Sequence, residues 1–128
     1  MNTILGFDFG LKRIGIAVGN TLLKLAQPLQ VISMITNDAK FSKISELIKG
    51  WEPSICVVGL PMHLDGAEHE MTIRCKRFAN QLRGRYNIDV ILVDERYSSV
   101  IIPRRHGEII DDQAAVIILQ QYFDDRAS

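Results

Sequence analysis

The amino-acid sequence predicts an α/β fold: a mixed five-stranded sheet in the order β-β-β-α-β-α-β-α, with helices on both faces. Three observations carry that prediction. The first third of the chain holds three strand-like runs with no room for a helix between them. The rest alternates helical spacing with short continuous apolar runs. Glycine or proline closes most of these segments. The 128 residues read as a single domain, residues 1–128, long enough to bury well over half of its surface.

The elements follow in order. "TILGFDFG" is short, apolar and ends at Gly10. "RIGIAVG" begins after Leu11-Lys12, a hairpin-length connection. "QPLQVIS" carries Pro28 near its start, which suits an edge strand where a missing N–H is tolerated. "NDAKFSKISELIKG" places Phe41, Ile44, Leu47 and Ile48 at helical spacing, between an Asn/Asp cap and a stop at Gly50; Trp51 is expected to pack on the core. "SICVVGLP" suits a strand buried on both faces. Asp65-Gly66-Ala67-Glu68 has the form of a capping box, opening a helix with Met71, Cys75, Phe78 and Leu82 on one stripe and an end near Gly84. "DVILVDER" is a further buried strand, and "DDQAAVIILQQYF" is apolar almost all round, as a buried helix is. The alternating half requires parallel strands with right-handed crossovers. Ligands of such sheets sit at the carboxyl ends of the parallel strands. That places interest on Asp8 to Gly10, Gly59 to Pro61 and Asp94 to Arg96.

Charge is balanced, with 15 Lys plus Arg against 15 Asp plus Glu. Neutrality argues against a protein that coats nucleic acid through bulk charge and leaves room for a local basic groove. Cys56 and Cys75 lie nineteen positions apart, fit no zinc spacing and read as reduced core thiols. No signal segment and no run near the ~18 apolar residues of a membrane span is present. A soluble, cytoplasmic protein without membrane contact is the expectation.

Three acids stand out. Asp8 shares a strand face with Ile4 and Gly6, where an unpaired charge costs several kcal/mol to bury. A turn-capping role is the alternative for it. Glu95 ends a Val/Ile/Leu strand, where a surface ion pair with Arg96 is the ordinary reading. Asp111 and Asp112 precede the last helix, and capping needs only one of them. In this topology the strand ends and the helix start converge, and three convergent carboxylates require raised pKa values or a cation. Oxygen-only donors suit one or two Mg²⁺ or Mn²⁺ ions, which can activate water for phosphodiester hydrolysis. No histidine lies in these motifs, so zinc is not expected. Arg104 and Arg105, with His106, lie between two acid motifs and are candidate phosphate contacts. Arg74, Arg77 and Arg85 read as a solvated helix face, with a phosphate-contacting ridge as the alternative. His63 and His69 read as exposed loop residues.

"FDFGLKRIGIAVG", "VVGLPMHLDG", "RCKRFANQL", "VDERYSS" and "DDQAAVIILQQYFD" together resemble the YqgF/RuvX family, in order and over nearly the whole chain. These are proposed pre-16S rRNA nucleases related to Holliday-junction resolvases. The resemblance implies a ribonuclease-H-like fold and a metal-dependent nuclease acting in 5′-end processing of pre-16S rRNA. It implies Asp8, Glu95 and Asp111 as catalytic and metal-binding acids, with Asp112 left for capping. It implies Lys12, Arg13 and Arg96 as substrate-binding cations. Structured nucleic acid, precursor rRNA above all, is the implied partner; ribosomal particles and a homodimer are further expectations. Two departures are visible. True resolvases carry an acid on the strand that here ends "VVGLP", so Glu95 must serve from the neighbouring strand. "VIIPRRHGEII" is also shorter than the family's connection after "VDERYSS". Four-way DNA resolution, a non-catalytic RNA-binding assembly factor and an actin-like nucleotide-binding half are the alternatives; the last is disfavoured because it needs a second domain.

Overall fold

The computed structural model describes residues 2–33, 36–62, 65–94 and 112–127. Its elements are β1 (Thr3–Phe9), β2 (Arg13–Asn20), β3 (Gln27–Ser33), α1 (Asn37–Trp51), β4 (Ile55–Leu60), α2 (Glu70–Tyr86), β5 (Asp89–Asp94) and α3 (Asp112–Ala127). The strands form one sheet in the order β3-β2-β1-β4-β5. β1 to β3 meander antiparallel, whereas β4 and β5 join β1 in parallel. Both the element order and the mixed sheet match the sequence expectation.

Strand alternation divides β1 between two cores. Leu5 and Phe7 face α1 and α2, together with Ile44, Phe78 and Leu82. Ile4 faces α3, together with Ala17, Val57, Ile118 and Leu119. The period of two in the sequence is therefore masked, because both faces of the central strands are apolar. β3 is an edge strand as Pro28 implied, and its pairing with β2 slips by one residue beside that proline.

The ends of the helices differ from the sequence reading. Thr36 caps α1, its hydroxyl accepting from Ala39 N at 3.0 Å, in place of Asn37 or Asp38. Asp65 instead accepts from Ala67 N in a local turn. The capping box of α2 is formed by His69 and Thr72, so His69 is a half-buried cap rather than a loose loop residue. Neither helix stops at its glycine. Glu52 and Asn87 take the left-handed conformation just past the ends, each returning its N–H to a carbonyl of the last turn. Trp51 is 43% exposed and does not pack into the core.

Side chains reach the outer strand β5. Arg83 donates to Val90 O at 2.8 Å, and Gln121 donates to Asp94 O at 3.4 Å.

Candidate active site

Asp8 is 2% exposed, although its neighbour Gly10 already belongs to the turn. Its position is set by three strands. On one side Asp8 pairs with Gly15 of β2. On the other, the β1–β4 register pairs Phe7 with Val58, so the next residue of β4, Gly59, lies level with Asp8. Gly59 in turn pairs with Val93 of β5. A row Gly15–Asp8–Gly59–Val93 therefore crosses the sheet on the α3 face. The carboxylate stands between two residues with no side chain, which leaves lateral room for an ion or a phosphate.

α3 fits the same picture. A Cβ on Gly6 would lie 2.8 Å from Leu119 Cβ and 3.4 Å from Ala115 O. A Cβ on Gly19, two residues along β2 from the partner of Gly6, would meet the Phe123 ring at 2.7 Å. The helix thus runs from the Asp8 end of the sheet toward the amino end of β1. Only glycine permits this close contact of helix and sheet. The first turn, which opens at Asp112, lies on the Asp8 side of Gly6.

Arg13 alternates with Gly15 and Ala17 and so shares the face of Asp8; it is half-buried. Lys12 is exposed in the β1–β2 turn, which Gly10 N closes by donating to Arg13 O at 2.9 Å. Of the three cations implied for substrate binding, Lys12 and Arg13 are both at the end of the sheet where Asp8 lies. The loop that follows Gly59 is fixed from α2, because buried Thr72 donates its hydroxyl to Pro61 O and accepts from His69 N.

Glu95, Arg96, Arg104, Arg105 and Asp111 lie outside the described residues. Among the described residues no group of three His, Cys, Asp or Glu forms a metal cradle. Asp8 fits a hard cation by its chemistry and by its glycine neighbours. Gly15 escaped the sequence reading as part of the site, whereas Gly59 was marked there among the strand ends of interest. Their signal was present in "RIGIAVG" and "VVGLP", but the lateral register of strands cannot be read from a single chain. An open cleft of 480 Å³ lined by Ile55, Arg83, Asn87 and Val90 lies at the amino ends of β4 and β5, away from Asp8.

Comparison with known proteins follows the same direction. A family model described as RuvX, Holliday junction resolvase, matches residues 2–125. A protein of Paraburkholderia xenovorans (strain LB400) named "Putative pre-16S rRNA nuclease" is 49% identical over 128 residues, covering 95% of this chain and 88% of its own. One from Burkholderia mallei (strain SAVP1) with the same name is 50% identical over the same length and coverage. Among solved structures, T. thermophilus RuvC in complex with a Holliday junction substrate matches with TM-score 0.65 and 13% identity, over 100% of this chain and 97% of that one. The Fowlpox virus resolvase bound to Holliday junction DNA matches with TM-score 0.60 and 13% identity, over 98% and 99%. At these identities the structural matches establish the fold, which is the resolvase-type, ribonuclease-H-like sheet.

Proposed function

Because this chain belongs to the RuvX family of Holliday junction resolvases, it is a phosphodiester-cleaving nuclease, and we propose that its substrate is precursor 16S rRNA. The cleavage would process the 5′ end during ribosome assembly, in the cytoplasm, on RNA carried by ribosomal particles. The observation that carries the reading is the Gly15–Asp8–Gly59 row: a buried carboxylate with glycine level with it on both neighbouring strands.

Asp8, Glu95 and Asp111 are proposed to hold one or two Mg²⁺ or Mn²⁺ ions. When bound, such an ion supplies Lewis acidity and charge neutralisation at the scissile phosphate. The chain's own groups do the rest. Asp8 fixes the negative charge that draws the cation to the α3 face. The absent side chains at Gly15 and Gly59 let a phosphodiester approach it. Arg13 on that face and Lys12 in the turn bind flanking phosphates and orient the strand. Arg96, Arg104 and Arg105 are further proposed phosphate contacts.

The test is cleavage of a precursor 16S rRNA 5′ segment and of a four-way DNA junction by wild type and Asp8→Asn, with Mg²⁺, with Mn²⁺ and with EDTA. RNA cleavage that needs metal and Asp8 supports the proposal. Junction cleavage alone assigns DNA resolution instead, for which a homodimer would suit the symmetric substrate. Tight RNA binding without any cleavage assigns an assembly factor.

A further inference from the structure

Lys40 lies in the first turn of α1 and is only 7% exposed. Its ammonium sits over three aromatic rings: Phe41 at 4.7 Å, Phe9 at 5.4 Å and Phe78 at 5.7 Å. The guanidinium of Arg85, in the last turn of α2, lies 3.9 Å from the same Phe41 ring. Two cations therefore share one ring. Neither Lys40 nor Arg85 belongs to the ion pairs Arg74–Glu70 and Lys76–Glu68. Burial and then the nearby Arg85 hold Lys40 below the usual lysine range. A buried cation next to a second cation is costly unless something answers the charge. Aromatic faces answer it in part. The residue still keeps a small opening to solvent.

From this arrangement we infer that Lys40 and Arg85 form a binding site for a backbone phosphate of the nucleic-acid substrate, on the sheet face opposite Asp8. The inference rests on the nuclease reading and adds a second anchor to it. Its placement is apt. Phe9 directly follows Asp8 in β1, and the two side chains point to opposite faces. The exposed turn that carries Lys12 lies between the two faces. A strand whose scissile phosphate is at Asp8 can pass over that turn, meet Lys12 and place a nearby phosphate at Lys40 and Arg85. The dipole of α1 adds positive potential at its first turn. Arg74 and Arg77 stay outside this site: Arg74 pairs with Glu70 at 2.8 Å, and Arg77 remains part of the solvated face.

The experiment measures binding of a labelled RNA hairpin and a labelled four-way DNA junction against salt, in the Asp8→Asn background so that neither is cut. Lys40→Met keeps the shape of the stem, and Arg85→Glu gives Lys40 a counter-charge at an exposed position. Each should weaken binding by about tenfold and flatten the log–log salt slope by about 0.7–0.9, the value of one phosphate contact. Arg85→Glu should keep or raise thermal stability, so that its binding loss cannot be unfolding. Unchanged affinity and slope in both variants overturn the site while leaving the nuclease reading intact. Inorganic phosphate that competes at Lys40 while RNA affinity is unmoved by Arg85→Glu makes it a small-anion site and overturns the nucleic-acid assignment. Failure of the Asp8→Asn parent to bind either nucleic acid overturns both.

Discussion

Gly6→Ala is the sharpest test of how α3 is seated against the sheet. The added methyl would lie 2.8 Å from Leu119 Cβ and 3.4 Å from Ala115 O. Carbon–carbon contact is comfortable at about 3.5–4.0 Å, so the helix must retreat by roughly 1 Å. No rotamer change relieves this, because a Cβ is fixed to the helix backbone. Overpacking of this kind costs about 1–3 kcal/mol. The stiffer unfolded chain returns about 0.4–1 kcal/mol. The net loss is about 1–2 kcal/mol, a fall of about 5–10 °C in Tm for a domain of this size. Cleavage should drop further than stability, because the start of α3 moves relative to Asp8, and about 1 Å at a catalytic constellation can cost about a hundredfold in rate. Gly50→Ala and Gly84→Ala are the internal comparison. A Cβ at either would meet nothing within 4 Å. Both lie inside helices, so each should stabilise by about 0.5–1 kcal/mol. Calorimetry and single-turnover cleavage read both quantities. A Gly6→Ala protein that melts with Gly50→Ala and cuts at the wild-type rate would refute the close helix–sheet contact.

Gly59→Val should lower kcat by about a hundredfold while changing RNA affinity much less, since it crowds Asp8 without removing a charge; single-turnover and binding titrations separate the two. Thr72→Val leaves Pro61 O and His69 N without their partner and should cost about 1–3 kcal/mol in urea unfolding. Burial pushes the Cys56 thiol from 9.0 up to about 12. The folded group keeps its proton where the unfolded one loses it, so the stabilisation is present below pH 9.0 and is lost between there and about 12. Denaturation midpoints should fall across that window, and Cys56→Ala should flatten the fall. Lys40 works in the opposite sense, because the folded group sheds its proton first; Lys40→Met should therefore steepen it.

Much of this fold could be read from the chain because its strands are short apolar runs separated by helices of strong periodicity. Even β3 follows from the run "QPLQVIS" with Pro28 near its start. The helix ends could not be read so well. Gly50 and Gly84 have the chemistry of stops, yet the left-handed conformation falls on Glu52 and Asn87. Packing of Tyr86 against the core carries α2 past Gly84. Asp65 and Glu68 fit a capping box in sequence, but His69 and Thr72 make it, because Thr72 is held by Pro61 in the preceding loop. Asp8 was recognisable as a costly charge in an apolar strand. Gly59 stood among the strand ends of interest, but its place beside Asp8, and that of Gly15, follow only from strand pairing. Arg85 read as one of several solvated arginines until the Phe41 ring set it beside Lys40.

The side chains on β5 have a consequence for self-association. A terminal strand in a sheet is a template on which a foreign strand can grow, and exposed backbone there invites edge-to-edge aggregation. Arg83 occupies the carbonyl of Val90 near one end of β5, and Gln121 that of Asp94 at the other. A sixth strand would have to displace a guanidinium and an amide before its first rung could form. Among the described residues, these two side chains thus guard the β5 edge against a sixth strand.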